Sequence, residues 1–314
     1  LQDHDGEFRL QTKVGREWEE AYRHARASVG DSDFATEREH RLEAAVRDSL
    51  PKTIPQGKAG VPRTVIPVLD SSQPDETDGV VLWVRSAWTN DSERQAEERA
   101  RALGSVSSLS LAWLPRLNSD RFREDVLTLL AATRTLEQRA SSADDEGRAA
   151  QAAMENRRAR AAEKVTQHVR ETVDGARVWI AGGAEIDGAT LRAKVTSAAA
   201  RTLPRRFTEF EKADNPRWDK VIKKLSDGAE GEALNQVGHT GESGSHPVVS
   251  QVRSLVGQST PAREVIDRLK AAPYGWADDA IRSGIAVLVA EGVIHASIDS
   301  ANIGVTKYLT LGVR

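Results

Sequence analysis

The chain has 314 residues, with 44 Lys and Arg against 47 Asp and Glu and a formal net charge of −3. That balance excludes a uniformly basic nucleic-acid binder but leaves local patches open, and the absence of Cys excludes disulfides, thiolate metal sites and cysteine nucleophiles. At roughly 100–200 residues per domain the length predicts two or three domains, and no run approaches the about 18 consecutive apolar residues of a membrane span. The chain starts at Leu1 and its single Met is Met154, so it is expected to be a piece of something longer.

In chain order, residues 8–12 read as a short strand, followed by helical material in which Trp18, Tyr22 and Ala25, then Leu42, Ala45, Val46 and Ser49, recur at helical spacing. Pro51, Pro55 and Pro62 with two glycines predict a loop over 51–62. TVIPVLD (64–70) and VVLWV (80–84) are β-branched and aromatic runs that read as strands. Ser92 with Gln95 forms a capping box opening a helix that stops at Gly104, and LSLAWL (109–114) is a third strand. After Ser119, an apolar stripe of Phe122, Val126, Leu129, Leu130, Thr133 and Leu136 predicts a helix. Strands separated by helices predict an α/β domain with a small mixed sheet over 1–140.

Residues 144–173 read as a long helix with a thin seam of Met154, Val165, Val169 and Val173, suited to lying on a domain surface or pairing with another helix. RVWIAGG (177–183) is a strand able to extend the sheet, and Thr190 caps a helix ending near Pro204. Five glycines over 226–245 predict a linker, which makes 141–244 a helical connector. The last unit, 245–314, has helices over 247–256, from Thr260 as N-cap with Pro261 at the first position, and over 276–291. Two strands, VIHASID and VTKYLTL, joined by SANIG complete the order of a winged helix-turn-helix.

Tests for chemistry return no catalytic constellation. A P-loop needs Gly-Lys-Ser/Thr, and the single Gly-Lys pair, Gly57-Lys58, is followed by Ala59. The strand ending in Asp70 resembles a Walker B strand, yet Ser71 follows it, so a strand running into a polar loop is the simpler reading. Gly241-Glu242-Ser243-Gly244-Ser245 misses the last glycine of a serine-nucleophile elbow. His239, Glu242 and His246 offer metal-ligand types on Gly-rich chain that positions them poorly; His246-Pro247 reads better as a helix start.

The most concentrated charge lies in 201–224, where Arg201, Arg205, Arg206, Lys212, Arg217, Lys220, Lys223 and Lys224 face four acidic residues, a local excess of four. Phe207, Phe210 and Trp218 are interleaved. Such a mixture neutralises phosphates and stacks bases; equally, the aromatics can anchor the segment while the charges are solvated. In the winged-helix reading the third helix would enter a major groove. It opens with Asp278 and Asp279 and offers only Arg282 as a base reader, which favours a protein-contact or hinge role.

Six phrases together resemble one family: GREWEEAY (15–22), LWVRSAW (82–88), AAMENRRARAAEKV (152–165), NPRWDKV (215–221), VGHTGESGSHPV (237–248) and APYGWADDAI (272–281). They look like the C-terminal part of the large P-loop ATPase of BREX and phage-growth-limitation defence systems, the BrxC/PglY family. The resemblance implies a cytoplasmic anti-phage machine in which the ATPase works with a DNA methyltransferase and a phosphatase-like protein. It places the ATP and Mg²⁺ site upstream of Leu1 and gives this segment no catalytic residue. The expected role is therefore non-catalytic contact with double-stranded DNA through Arg201, Arg205, Arg206, Arg217, Lys220, Lys223, Lys224 and Arg282, or with partner subunits. The alternatives are a scaffold that self-associates through the 144–173 helix, and an enzyme with a site near Asp70 and Arg85.

Overall fold

Apolar positions sort the chain into two large cores, one from Phe34 to Phe210 and the other from Ala213 to Tyr308. In the computed structural model the structure describes residues 12–89, 91–139, 144–299 and 301–311. The strand expected over 8–12 lies outside the described residues except for Thr12, whose hydroxyl caps helix α1 (Lys13–Ser28) by accepting from the Gly15 amide at 3.1 Å. Helix α2 (Asp31–Ser49) follows.

The Pro- and Gly-rich stretch expected as a loop is instead a hairpin of β1 (Thr53–Gln56) and β2 (Val61–Val68). Gly57 and Gly60 supply the turn at φ 68° and 64°. Pro55 stands opposite Pro62 at the outer edge of the sheet, where a missing N–H removes no ladder bond to a third strand. Strand β3 (Val80–Ser86) pairs parallel to β2, and β4 (Ser110–Leu114) parallel to β3. Strands β5 (Arg177–Ile180) and β6 (Glu185–Ile186) add antiparallel, giving a six-stranded mixed sheet in sequence order.

Helix α3 (Glu93–Ala102) begins with the expected Ser92–Gln95 capping box and lies on one face of the sheet. There Ala96 and Ala100 pack against Trp83, Leu111 and Trp179. The alternate residues Leu82, Val84, Ala112, Leu114, Val178 and Ile180 face the opposite core, shared with α2, α4 (Ser119–Gln138), α5 (Asp145–Asp174) and α6 (Leu191–Arg206). Cover on both faces explains why β3 is almost continuously apolar.

Helix α5 was expected within a 141–244 connector, lying on a domain surface or pairing with another helix. It packs lengthwise on α4 and also touches α1 and α2, with Ala161, Val165, Val169 and Val173 buried. The apolar cores therefore divide between Phe210 and Ala213, not at residues 140 and 244.

The second core is mostly helical: α7 (Trp218–Ser226), α8 (Pro247–Leu255), α9 (Ala262–Lys270) and α10 (Asp278–Ala290), then β7 (Ala296–Ile298), β8 (Ala301–Ile303) and α11 (Val305–Leu311). The expected linker over 226–245 contains a 3₁₀ segment, Glu230–Val237, whose Ala233 and Leu234 are buried in this core. Pro261, not Thr260, holds the cap position of α9; the Thr260 hydroxyl instead accepts from the Gly257 amide at 2.8 Å. VTKYLTL, expected as a strand, is helix α11, because Tyr308 and Val305 turn into the core on one side.

A polar joint ties the two cores. Arg63, buried on β2, donates to Gln56 Oε1 at 2.7 Å and to the Gly275 carbonyl, with its guanidinium 3.9 Å from the centre of the Phe207 ring. Burial lowers the Arg63 pKa to about 10, with Asp78 opposing the shift. Gly275 sits at φ 63°, and a Cβ there would lie 2.4 Å from both Arg63 and Phe207. Beside it, the Asp214 carboxylate accepts from the amides of Lys58 and Ala59 at 2.8 and 2.7 Å, and the Trp276 indole donates to the Glu209 carbonyl at 2.9 Å.

Candidate nucleic-acid interface

Helix α7 is short and two-sided. Trp218, Val221 and Leu225 recur at helical spacing and are buried, with the Trp218 indole donating to the Ala213 carbonyl at 2.8 Å. The other side carries Lys220, Lys223 and Lys224, and Arg217 stands at the cap position; all four are exposed. No carboxylate lies within ion-pairing distance of any of the four among the described residues. Positions 217, 220 and 224 follow one stripe, and Lys223 widens it by one position. Lys223 and Lys224 occupy the last turn, where cations suit the helix dipole.

The remaining sequence candidates separate from this stripe. Arg201 is exposed on α6. Arg205 is a structural staple: its guanidinium donates to the carbonyls of Ser107 and Ala181 at 3.1 and 2.8 Å. Arg206 pairs with Asp78 at 3.3 Å. Arg282 donates to the Leu309 carbonyl at 3.0 Å and holds α11 against α10. Phe207, Phe210 and Trp218 are each at most 4% exposed, so they anchor the segment and offer no ring for base stacking.

Helix α10 is enclosed. Ala280, Ile281 and every residue from Ser283 to Leu288 are buried, and α7, α8, α9 and α11 all pack on it. A helix covered on this many sides has no face to lay in a groove. Gly284 permits the close approach of α8, since a Cβ there would meet Val252 and Val248 at 3.0 and 3.1 Å.

Asp70 and Arg85 do not form a pair of reactive side chains. The Asp70 carboxylate accepts from the Ser72 amide and the Ser71 hydroxyl of its own turn, which lowers its pKa. Arg85 is buried against Asp91 and meets only the backbone carbonyl of Asp70, at 2.7 Å. His246 caps α8 by accepting from the Val248 amide at 3.1 Å, and its ring packs edge-on against Trp218 and His239. Burial, then the neighbouring His239, lowers its pKa to about 4. The His239 Nε2 lies 2.9 Å from the Glu242 carbonyl. Among the described residues no group of three His, Asp or Glu is placed to hold a metal ion, and no helix is long and apolar enough to cross a membrane.

Sequence reasoning looked to the strand ends near Asp70 and Arg85 and passed over the turn that follows β4. After β4 the chain turns into α4 through Asn118, at φ 41°, whose side chain caps nothing. Beside it, His168 of α5 stands 3.3 Å from buried Asp125, with Lys164 at 3.8 Å from the same carboxylate. Asp125 lies 43 positions from His168 in sequence and shares no motif with it, so only the packing of α4 on α5 brings them together. No family model, no characterised protein and no solved structure matches the chain.

Proposed function

We propose that this chain is a non-catalytic region of a cytoplasmic defence ATPase of the BrxC/PglY kind, contacting DNA phosphates through α7 and partner subunits through its C-terminal unit. The phosphate contact rests on one observation: Arg217, Lys220, Lys223 and Lys224 form an exposed stripe with no counter-ion among the described residues. Such a stripe binds by charge and releases condensed counter-ions; with the aromatics buried and α10 enclosed, it carries no base readout. The assignment to the defence family rests on the six phrases and their order. ATP and Mg²⁺ belong to the parent's upstream domain in this reading, and the methyltransferase and phosphatase-like protein are the partners to test.

The order of α8, α9, α10 and the β7–β8 hairpin supports a winged-helix reading of the last unit, used for protein contact. Self-association through α5 finds no support, because its apolar seam is already covered by α4, α1 and α2. Fluorescence anisotropy with a DNA duplex tests the central claim. Four phosphate contacts give a log–log salt slope of about −3.6, independent of DNA sequence. No binding at about 50 mM salt, or binding untouched by salt, overturns it. A pull-down against the two partner proteins, with and without DNA, tests the family assignment.

A further inference from the structure

In the second core, the turn between α8 and α9, the later part of α10 and the β7–β8 hairpin stand around a cavity of about 670 Å³. Small-molecule sites fall in this size range. Its apolar wall is built from Val256, Val265, Ile285, Val289, Ile303 and Tyr308. Four residues apart, Ile285 and Val289 share one face of α10. On the hairpin, Ala296 stands opposite Ile303 in the ladder, and Ile298, two residues on, shares the face of Ala296. Both line the cavity, and Ile298 is 42% exposed, an apolar side chain that the chain itself leaves uncovered.

The lining selects the charge of the occupant. In a chain of which 29% is charged, no Asp, Glu, Lys or Arg lines this cavity among the described residues. Burial pushes the Tyr308 hydroxyl up to about 12, so it stays neutral as well. An ionised ligand would leave water here without a counter-ion, at a cost that a neutral one avoids. Polar groups gather at one end. The Thr260 hydroxyl accepts from the Gly257 amide at 2.8 Å and closes the turn that sets Gln258 and Ser259 at the cavity. Both side chains are exposed and have no hydrogen-bond partner among the described residues. The surroundings are too small for a protein partner. Among the described residues the exposed large apolar side chains of this unit are Val293 and Ile298, far short of the roughly 800 Å² that each side of a stable interface buries.

We propose that this cavity binds a neutral, largely apolar small molecule, its rings or chain against the α10 and hairpin wall and its hydrogen-bonding end at Gln258 and Ser259. The site goes beyond the α7 stripe and shares no residue with it, so the two readings stand or fall separately. Titration with N-phenyl-1-naphthylamine, an uncharged two-ring probe that brightens in apolar surroundings, tests it. A saturable, one-to-one rise in fluorescence is expected. The sulfonated counterpart, 1-anilinonaphthalene-8-sulfonate, should bind about tenfold more weakly, because its charge enters an uncharged lining. Ile298→Asp should weaken the neutral probe about tenfold and Ile298→Leu should retain most of its affinity. Ala296→Phe, which fills the cavity from the hairpin side, should abolish binding, and Lys220→Glu/Lys223→Glu/Lys224→Glu should leave it unchanged. Position 298 is exposed, so circular dichroism should show its variants folded whatever Ala296→Phe does. The site is overturned if the neutral probe shows no saturable binding, or if folded Ile298→Asp protein binds it as well as the unaltered chain does. A sulfonate bound as tightly as the neutral probe overturns the ligand class.

Discussion

Helices α7 and α10 belong to one core and pack on each other, yet they do opposite things. Helix α10 was the natural candidate for a groove-reading helix by its place in the order of elements. It is apolar on nearly every side and lies beneath α7, α8, α9 and α11. Helix α7 looked like part of a mixed charged connector. It buries three positions and leaves its cations exposed, without counter-ions among the described residues. The lesson is that position in a fold's sequence of elements says little about which helix meets a partner. What decides is how many of a helix's faces the core uses.

The largest expected effect falls on α10. Ile281→Ala removes a fully buried side chain and should cost about 3–4 kcal/mol in urea denaturation, with unchanged DNA affinity per folded molecule. If affinity fell while stability held, α10 would be the contact helix and the comparison would collapse. Lys220→Glu/Lys223→Glu/Lys224→Glu should do the reverse, weakening DNA binding about a hundredfold at low salt while the thermal midpoint stays put.

Between the two helices, His246 caps α8 and leans on Trp218. Its native pKa of about 4 lies below the ordinary 6.5, so the unfolded chain binds the extra proton first. Stability should be full above pH 6.5 and decline as pH falls toward 4, by an amount on the order of 2 kcal/mol. His246→Ser keeps a capping oxygen that does not titrate, and should flatten that decline in thermal melts across pH. The smallest effect sharpens the boundary of the stripe. Arg205→Ala should lower stability by about 1–2 kcal/mol, through the orphaned carbonyls of Ser107 and Ala181, and leave DNA affinity alone.

Elements governed by local chemistry were legible in the sequence. The Ser92–Gln95 box, the Asp144 start of α5 and the β-branched and aromatic runs of β3 and β4 all fall where the local sequence puts them. The β1–β2 hairpin was not legible, because its prolines read as loop; they are tolerated at a sheet edge, and only the sheet reveals where the edge is. VTKYLTL has strand-like composition, and its helix is set by Tyr308 packing into a core built from residues far upstream. Helix α5 was legible as a helix that pairs with another, since its thin seam of Ala and Val lets helices approach closely; that its partners are α4, α1 and α2, which makes it part of the first core and not of a connector, was not. For the site, charge counting located the basic segment. It could not separate the free Lys223 from the stapled Arg205, which depends on carbonyls about 24 and 98 positions away in sequence.

The joint at Arg63 has a mechanical consequence. A hinge needs soft contacts and room to turn. Here a buried guanidinium grips a carbonyl across the divide, a carboxylate from one half sits on two amides of the other, and Gly275 is too crowded to admit a methyl group. Contacts of this kind resist bending at the divide more than a soft apolar seam would. In the proposed reading, a pull on α7 from bound DNA would pass through this joint to the β1–β2 edge of the sheet.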